Sequence, residues 1–185
     1  NPYIKEKMDL DVQVSKLKLL KANHTSQIYR LESDIAKNFP VQISALKERI
    51  AGMQVDSQVV KSVDLQDNDT FAMTVGNVLY EDKKEAGEAL IAASTGGKVG
   101  EYHGFTLSAS YNMFSNAFEL TVKGKCSYKL EIGKDPVGNM QRIHNTLSSI
   151  DRKLTESEQK LETVQQQLAT AQEEVKKPFP KEAEL

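Results

Sequence analysis

Apolar side chains recur three and four residues apart through the last third of the chain. They fall at Met140, Ile143, Leu147, Ile150, Leu154, Leu161, Val164, Leu168, Ala171 and Val175, with Ser157 at the one polar position. A seven-residue repeat sustained in this way keeps a single stripe facing another helix, with slight supercoiling. The other faces carry Lys, Glu and Gln, which form helix readily and stay in water. Asp135-Pro136 supplies a helix start and Pro178 a stop. The spacing therefore predicts one helix of roughly 55–60 Å. So long a helix with so narrow an apolar face needs a helical partner.

The first third offers one. Val14, Leu17, His24, Ile28, Leu31 and Ile35 keep the same spacing, with Lys21 at the polar position, and Ile43, Leu46, Ile50 and Met53 resume it shifted by about one residue. Pro40 lacks a backbone donor and crowds the preceding turn, which predicts a kink or short break there. The simplest architecture is a long antiparallel coiled-coil hairpin: an N-terminal arm over 1–63, a C-terminal arm over 134–178 and an exposed tail over 179–185. A parallel coiled coil between two chains is the competing arrangement; a monomer with an intramolecular hairpin is the preferred one.

Between the arms, over 64–133, the period changes. Phe118, Leu120, Val122, Gly124, Cys126, Tyr128, Leu130 and Ile132 alternate with polar residues, which reads as a strand bent or bulged at Gly124. Phe105, Leu107, Ala109 and Tyr111 alternate likewise, and "FAMTV" and "VLYE" add one or two further strands. Ala86, Ala89, Leu90 and Ala93 share one face of a helix. The expected fold class is thus α+β: a coiled-coil hairpin with an inserted small antiparallel sheet and one helix.

Chemistry is harder to find. "STGGKVGEYHGF" looks at first like a phosphate loop, but Ala92 and Val99 stand where a Walker loop needs glycine and a hydroxyl. Gly96-Gly97 reads instead as the end of a helix. His24, His103 and His144 are not at ligand spacing from one another or from Cys126. Cys126 itself reads as a small core residue. No catalytic or metal-binding residue is assigned, and no cofactor. The net charge of −2, and ten acidic against six basic residues in the insertion, argue against a strongly cationic nucleic-acid binder. A polar strand face bearing Lys123, Lys125 and Lys129, with Lys98 and Arg142, is still the best candidate for contacting a phosphate backbone. With 39 % hydrophobic residues, no Trp and one Cys, the chain reads as a soluble, cytoplasmic protein. Its ends, "NPYIKEK" and "KPFPKEAEL", look like cuts in a longer polypeptide.

At "NPYIKEKMDLDVQVSKLKLLKA", "EAGEAL", "GEYHGF" and "GNMQRIHNTL" the chain resembles the very large helicase and DNA-methylase fusion proteins, of Swi/Snf helicase type, of mobile elements in Gram-positive bacteria. The matching positions are Asn1, Pro2, Ile4, Lys5 and Lys7, then Glu85, Ala86, Gly87 and Leu90, then Gly104 and Phe105, then Gly138, Asn139, Arg142 and Asn145. The resemblance implies a segment that follows the motor region of an ATP-driven DNA translocase. ATP and magnesium would belong to that parent, whose phosphate loop, acidic box and arginines have no counterpart here. It implies a non-catalytic accessory module touching DNA or the parent's motor domains. A coiled-coil dimerisation or tethering protein is the alternative.

Overall fold

The fold is α+β in a computed structural model that describes residues 1–179; beyond Phe179, the tail expected over 179–185 lies outside the described residues. Helix α1 (Pro2–Ser33), a π-helical turn (Asp34–Asn38) and α2 (Phe39–Lys61) form one unbroken helical run. Then come β1 (Met73–Val75), β2 (Val78–Tyr80), α3 (Lys83–Ala93), β3 (Gly97–Tyr102), β4 (Phe105–Asn112), β5 (Ala117–Lys123), β6 (Ser127–Glu131), α4 (Pro136–Ser148) and α5 (Ile150–Glu174). The chain divides into two compact units: Lys47–Glu158, and Asn1–Leu46 with the stretch from Gln159 onward.

In the Lys47–Glu158 unit the six strands form one antiparallel sheet in the order β2-β1-β3-β4-β5-β6. The β1–β2 and β3–β4 turns are two-residue turns, Gly76-Asn77 and His103-Gly104, with all four residues at positive φ. That geometry matches the right-handed twist of the paired strands. One sheet face is apolar and buried through Met73, Val75, Val99, Tyr102, Phe105, Leu107, Ala109, Leu120, Val122 and Tyr128. Ala86 and Leu90 of α3, Met140, Ile143 and Leu147 of α4, Met53 of α2 and Ile150 join the same core.

Two expectations about this unit need correcting. "GKVGEY", within the stretch that looks like a loop in sequence, is the central strand β3, pairing with both β1 and β4. The fifteen-residue alternation is not one bent strand but the hairpin β5–β6. Its partners, Thr121↔Lys129 and Val122↔Tyr128, sum to an even number, so even-numbered residues stay on one face through the turn. Strict period two therefore cannot distinguish a long strand from such a hairpin.

The arms differ from expectation as well. A helical hairpin running the length of both arms is not what forms. The stripe Met140, Ile143, Leu147 belongs to the sheet core, because α4 packs on α3 and beside β6. The C-terminal arm is two helices, joined at Ser149, and α5 ends at Glu174, ahead of Pro178. Nor does Pro40 break the N-terminal arm. The turn before it widens, Phe39 N–H donating to Asp34 O. A π-turn adds one residue to the helix, which accounts for the one-residue shift in the apolar pattern.

In the other unit, Leu17, Lys21, His24, Ile28, Leu31, Ile35, Phe39 and Ile43 are half-buried and Leu46 is buried. Along α5, Leu161 and Leu168 are half-buried while Val164 and Ala171 are buried. The His24 and Phe179 rings lie 5.7 Å apart. From Pro2 to Lys16 every residue is exposed.

Gly87 marks the tightest crossing of α3 over the start of α4: a Cβ there would lie 2.3 Å from Pro136 O. Backbone cannot yield as a side-chain tip can, so Gly87→Ala should force the two elements apart. A destabilisation of about 1–3 kcal/mol is expected, read as a lowered melting temperature.

Candidate functional site

Three small constellations of the Lys47–Glu158 unit are built on the buried polar side chains Asp56, Asn139 and His144; of the other two, Ser57 donates to Asp151 and Ser94 to Leu90 O. The first holds the β5–β6 turn. Asp56, on α2, is 2 % exposed. Its carboxylate accepts from Lys125 N–H at 2.7 Å, Cys126 N–H at 2.9 Å and the Tyr128 hydroxyl at 2.7 Å. Burial, then the neighbouring Asp56, pushes the Tyr128 hydroxyl well above the usual phenol range. Cys126 Sγ donates to Arg49 O at 3.4 Å, and burial with Asp56 raises its pKa. A raised thiol pKa lowers the thiolate fraction and so the reactivity.

The second fastens the loop before α4. Asn139 Nδ2 donates to Gly133 O at 2.9 Å, while Gly133 N–H donates to Asn139 Oδ1 at 2.7 Å. Arg142 lies over Gly133 and donates to Glu131 O at 3.2 Å. The "GNMQR" stretch thus fastens a loop.

The third is centred on Tyr102. Its hydroxyl lies 2.7 Å from Nε2 of His144, a side chain only 1 % exposed. His103 packs against the Tyr102 ring at 4.3 Å between centroids. Burial lowers the His144 pKa to about 4, helped by the Lys83 and His103 charges, and burial raises Tyr102 to about 12. Both are neutral at pH 7, so they exchange a hydrogen bond, not a charge. A cavity of about 440 Å³ lies above, lined by Asn68, Glu81, Asp82, Lys83, Lys84, Val137, Met140, Gln141 and His144. Its two lysines are balanced by two carboxylates. No other hydrogen bond is made by the His144 side chain among the described residues, and no fully buried polar atom there lacks a partner.

No protein-family model, curated protein or solved structure matches this chain.

The candidate phosphate-contacting residues are only partly brought together. Lys98, Lys123 and Lys129 lie on the sheet face away from the core, in register with Ser108, Thr121, Thr106 and Ser127. Glu101, Glu119 and Glu131 occupy the same face, and Lys98 is paired with Glu101 at 2.9 Å. Lys125 sits in the β5–β6 turn, its backbone held by Asp56. Arg142 is on α4, engaged with the end of β6. The cluster around Tyr102 was not legible in sequence, since Tyr102 and His144 are 42 residues apart. Among the described residues no group of three or more His, Cys, Asp or Glu is placed to hold a metal ion, and no helix is long and apolar enough to cross a membrane.

Proposed function

We propose that this chain is a non-catalytic docking module, an accessory segment of a larger helicase-like, ATP-driven DNA translocase of the kind it resembles. Its principal contact surface is helix α1, and the partner is an adjacent motor domain of the parent. One observation carries this reading. The apolar line half-buried from Leu17 onward continues up α1 as Val14, Leu10 and Tyr3, yet there it is uncovered, at 41 %, 54 % and 73 % exposure. A line of large apolar side chains in register with a packed one is a surface waiting for cover. The buried polar side chains support the reading from the other side, because Asp56 and Asn139 hold turns and loops together. DNA takes second place: any phosphate contact would run over Lys123 and Lys129, beside three glutamates that repel it.

The test is backbone hydrogen exchange of the chain alone and mixed with the parent's motor region. Alone, amides from Tyr3 to Lys16 should exchange fastest of any helical segment, since no side chain there is buried. With the motor region present they should become protected, at least about tenfold, and Leu10→Ser/Val14→Ser should abolish that protection. Unchanged exchange on mixing would sink the docking reading.

A further inference from the structure

The opposite face of α1 carries a second apolar stripe that docking through Tyr3, Leu10 and Val14 leaves untouched. Ile4, Met8, Val12, Ser15, Leu19 and Ala22 follow one another at steps of three and four. At 3.6 residues per turn they share a face about 80° wide. Ile4, Met8, Val12 and Leu19 are 54 %, 63 %, 53 % and 62 % exposed. Asp9 and Lys16 flank this stripe on one side, and Asp11 and Lys18 on the other. None of these four charges has an ion-pair partner among the described residues.

We infer that this stripe is the contact between two copies of the chain, joined antiparallel about a two-fold axis near residues 13 and 14. In that arrangement residue i lies level with residue 27 − i of the other copy. Met8 then meets Leu19, Val12 meets Ser15, and Ile4 meets the helix surface at Ala22 and Asn23. A two-fold axis brings each flank against the same flank of the partner. Asp9 therefore faces Lys16, and Asp11 faces Lys18, each within two residues of level, about 3 Å along the axis. Symmetry repeats both pairs. A parallel two-fold alignment brings opposite flanks together, setting Asp9 against Asp11 and Lys16 against Lys18, like charge against like. The charge pattern selects the antiparallel copy, much as flanking charges choose partner and orientation in coiled coils. The apolar stripe provides the adhesion, and because it is narrow the dimer is weak, with Kd on the order of tens of micromolar.

Analytical ultracentrifugation from about 1 to 300 µM at low salt decides it, bracketing that expected Kd. The wild-type chain should show a reversible monomer–dimer equilibrium, and Met8→Glu should remove it. The double variants Asp9→Lys/Asp11→Lys and Lys16→Asp/Lys18→Asp should each weaken dimerisation at least about tenfold, because every facing pair becomes repulsive. Mixed in equal amounts, the two should recover wild-type association as a heterodimer, since all four pairs are then opposite in sign. These exposed substitutions leave far-UV circular dichroism unchanged. A monomer at every concentration overturns the inference, and so does a dimer indifferent to Met8→Glu and to the charge reversals. Because docking is read as protection gained on mixing with the chain at about 1 µM, below the dimer Kd, and removed by Leu10→Ser/Val14→Ser, either inference can fail alone.

Discussion

Replacing Asp56 with Ala should lower the folding stability by about 3–5 kcal/mol, as expected when one partner of a buried charged network is removed. The carboxylate receives two backbone N–H groups from the β5–β6 turn and the Tyr128 hydroxyl. Without it, the Tyr128 hydroxyl is stranded in the core and the turn loses its tie to α2. Asp56→Asn tests the cause. An amide keeps one acceptor oxygen but presents N–H groups to donors on the other side, so it should recover only part of the loss. Urea titration reads both variants as shifted midpoints at unchanged slope. A loss under about 1 kcal/mol for Ala would mean that water replaces the carboxylate at this turn.

Asp56 also shows where sequence reasoning stops. Asp56 lies about one turn beyond Met53, on the buried face of α2, but nothing in the spacing says which backbone groups it will meet. Its partners lie 69 to 72 residues away. The same limit governs α4. Met140, Ile143 and Leu147 suit a coiled-coil seam and a helix lying on a sheet equally well, because both need an apolar side chain every three or four residues. In the fold those side chains join the sheet core, and Gly87 lets α3 sit close against Pro136 at the start of α4. Periodicity located the inward face along both arms, from Leu17 to Leu46 and from Leu161 to Ala171. It did not name the surface that each face meets.

Three short motifs of the sequence have physical roles in the fold. "GEYHGF" is the β3–β4 hairpin turn, where His103 and Gly104 both take positive φ. "EAGEAL" is the inner face of α3, with Ala86, Gly87 and Leu90 buried. "GNMQR" fastens the loop before α4. All three are positions where the fold turns or closes. By contrast, the lysines proposed for phosphate contact are spread over strands and a turn and interleaved with glutamates; Glu119 and Glu131 flank them in the sequence alternation itself, whereas Glu101 joins that face only through strand order.

Acid should unfold the protein earlier than its carboxylates alone would cause, and His144 is the reason. In the unfolded chain a histidine takes up its proton near pH 6.5. In the folded protein burial, with Lys83 and His103 nearby, holds the His144 pKa down at about 4. Between these values the unfolded state binds more protons than the folded state, so stability rises with pH across the window. The contribution is complete above pH 6.5 and is lost progressively as the pH falls towards 4. The full span amounts to about 3 kcal/mol, at 1.36 kcal/mol per pH unit. Urea midpoints at pH 7.5, 6, 5 and 4.5 should trace this fall, and His144→Phe should flatten it down to the carboxylate range. The Phe variant also strips Tyr102 of its 2.7 Å partner and lowers stability at pH 7.5, so the slope between pH 6.5 and 4.5, not the absolute midpoint, is the quantity to compare. An unchanged slope in the variant would place the acid sensitivity elsewhere, with His103, whose pKa burial also lowers, as the next residue to replace.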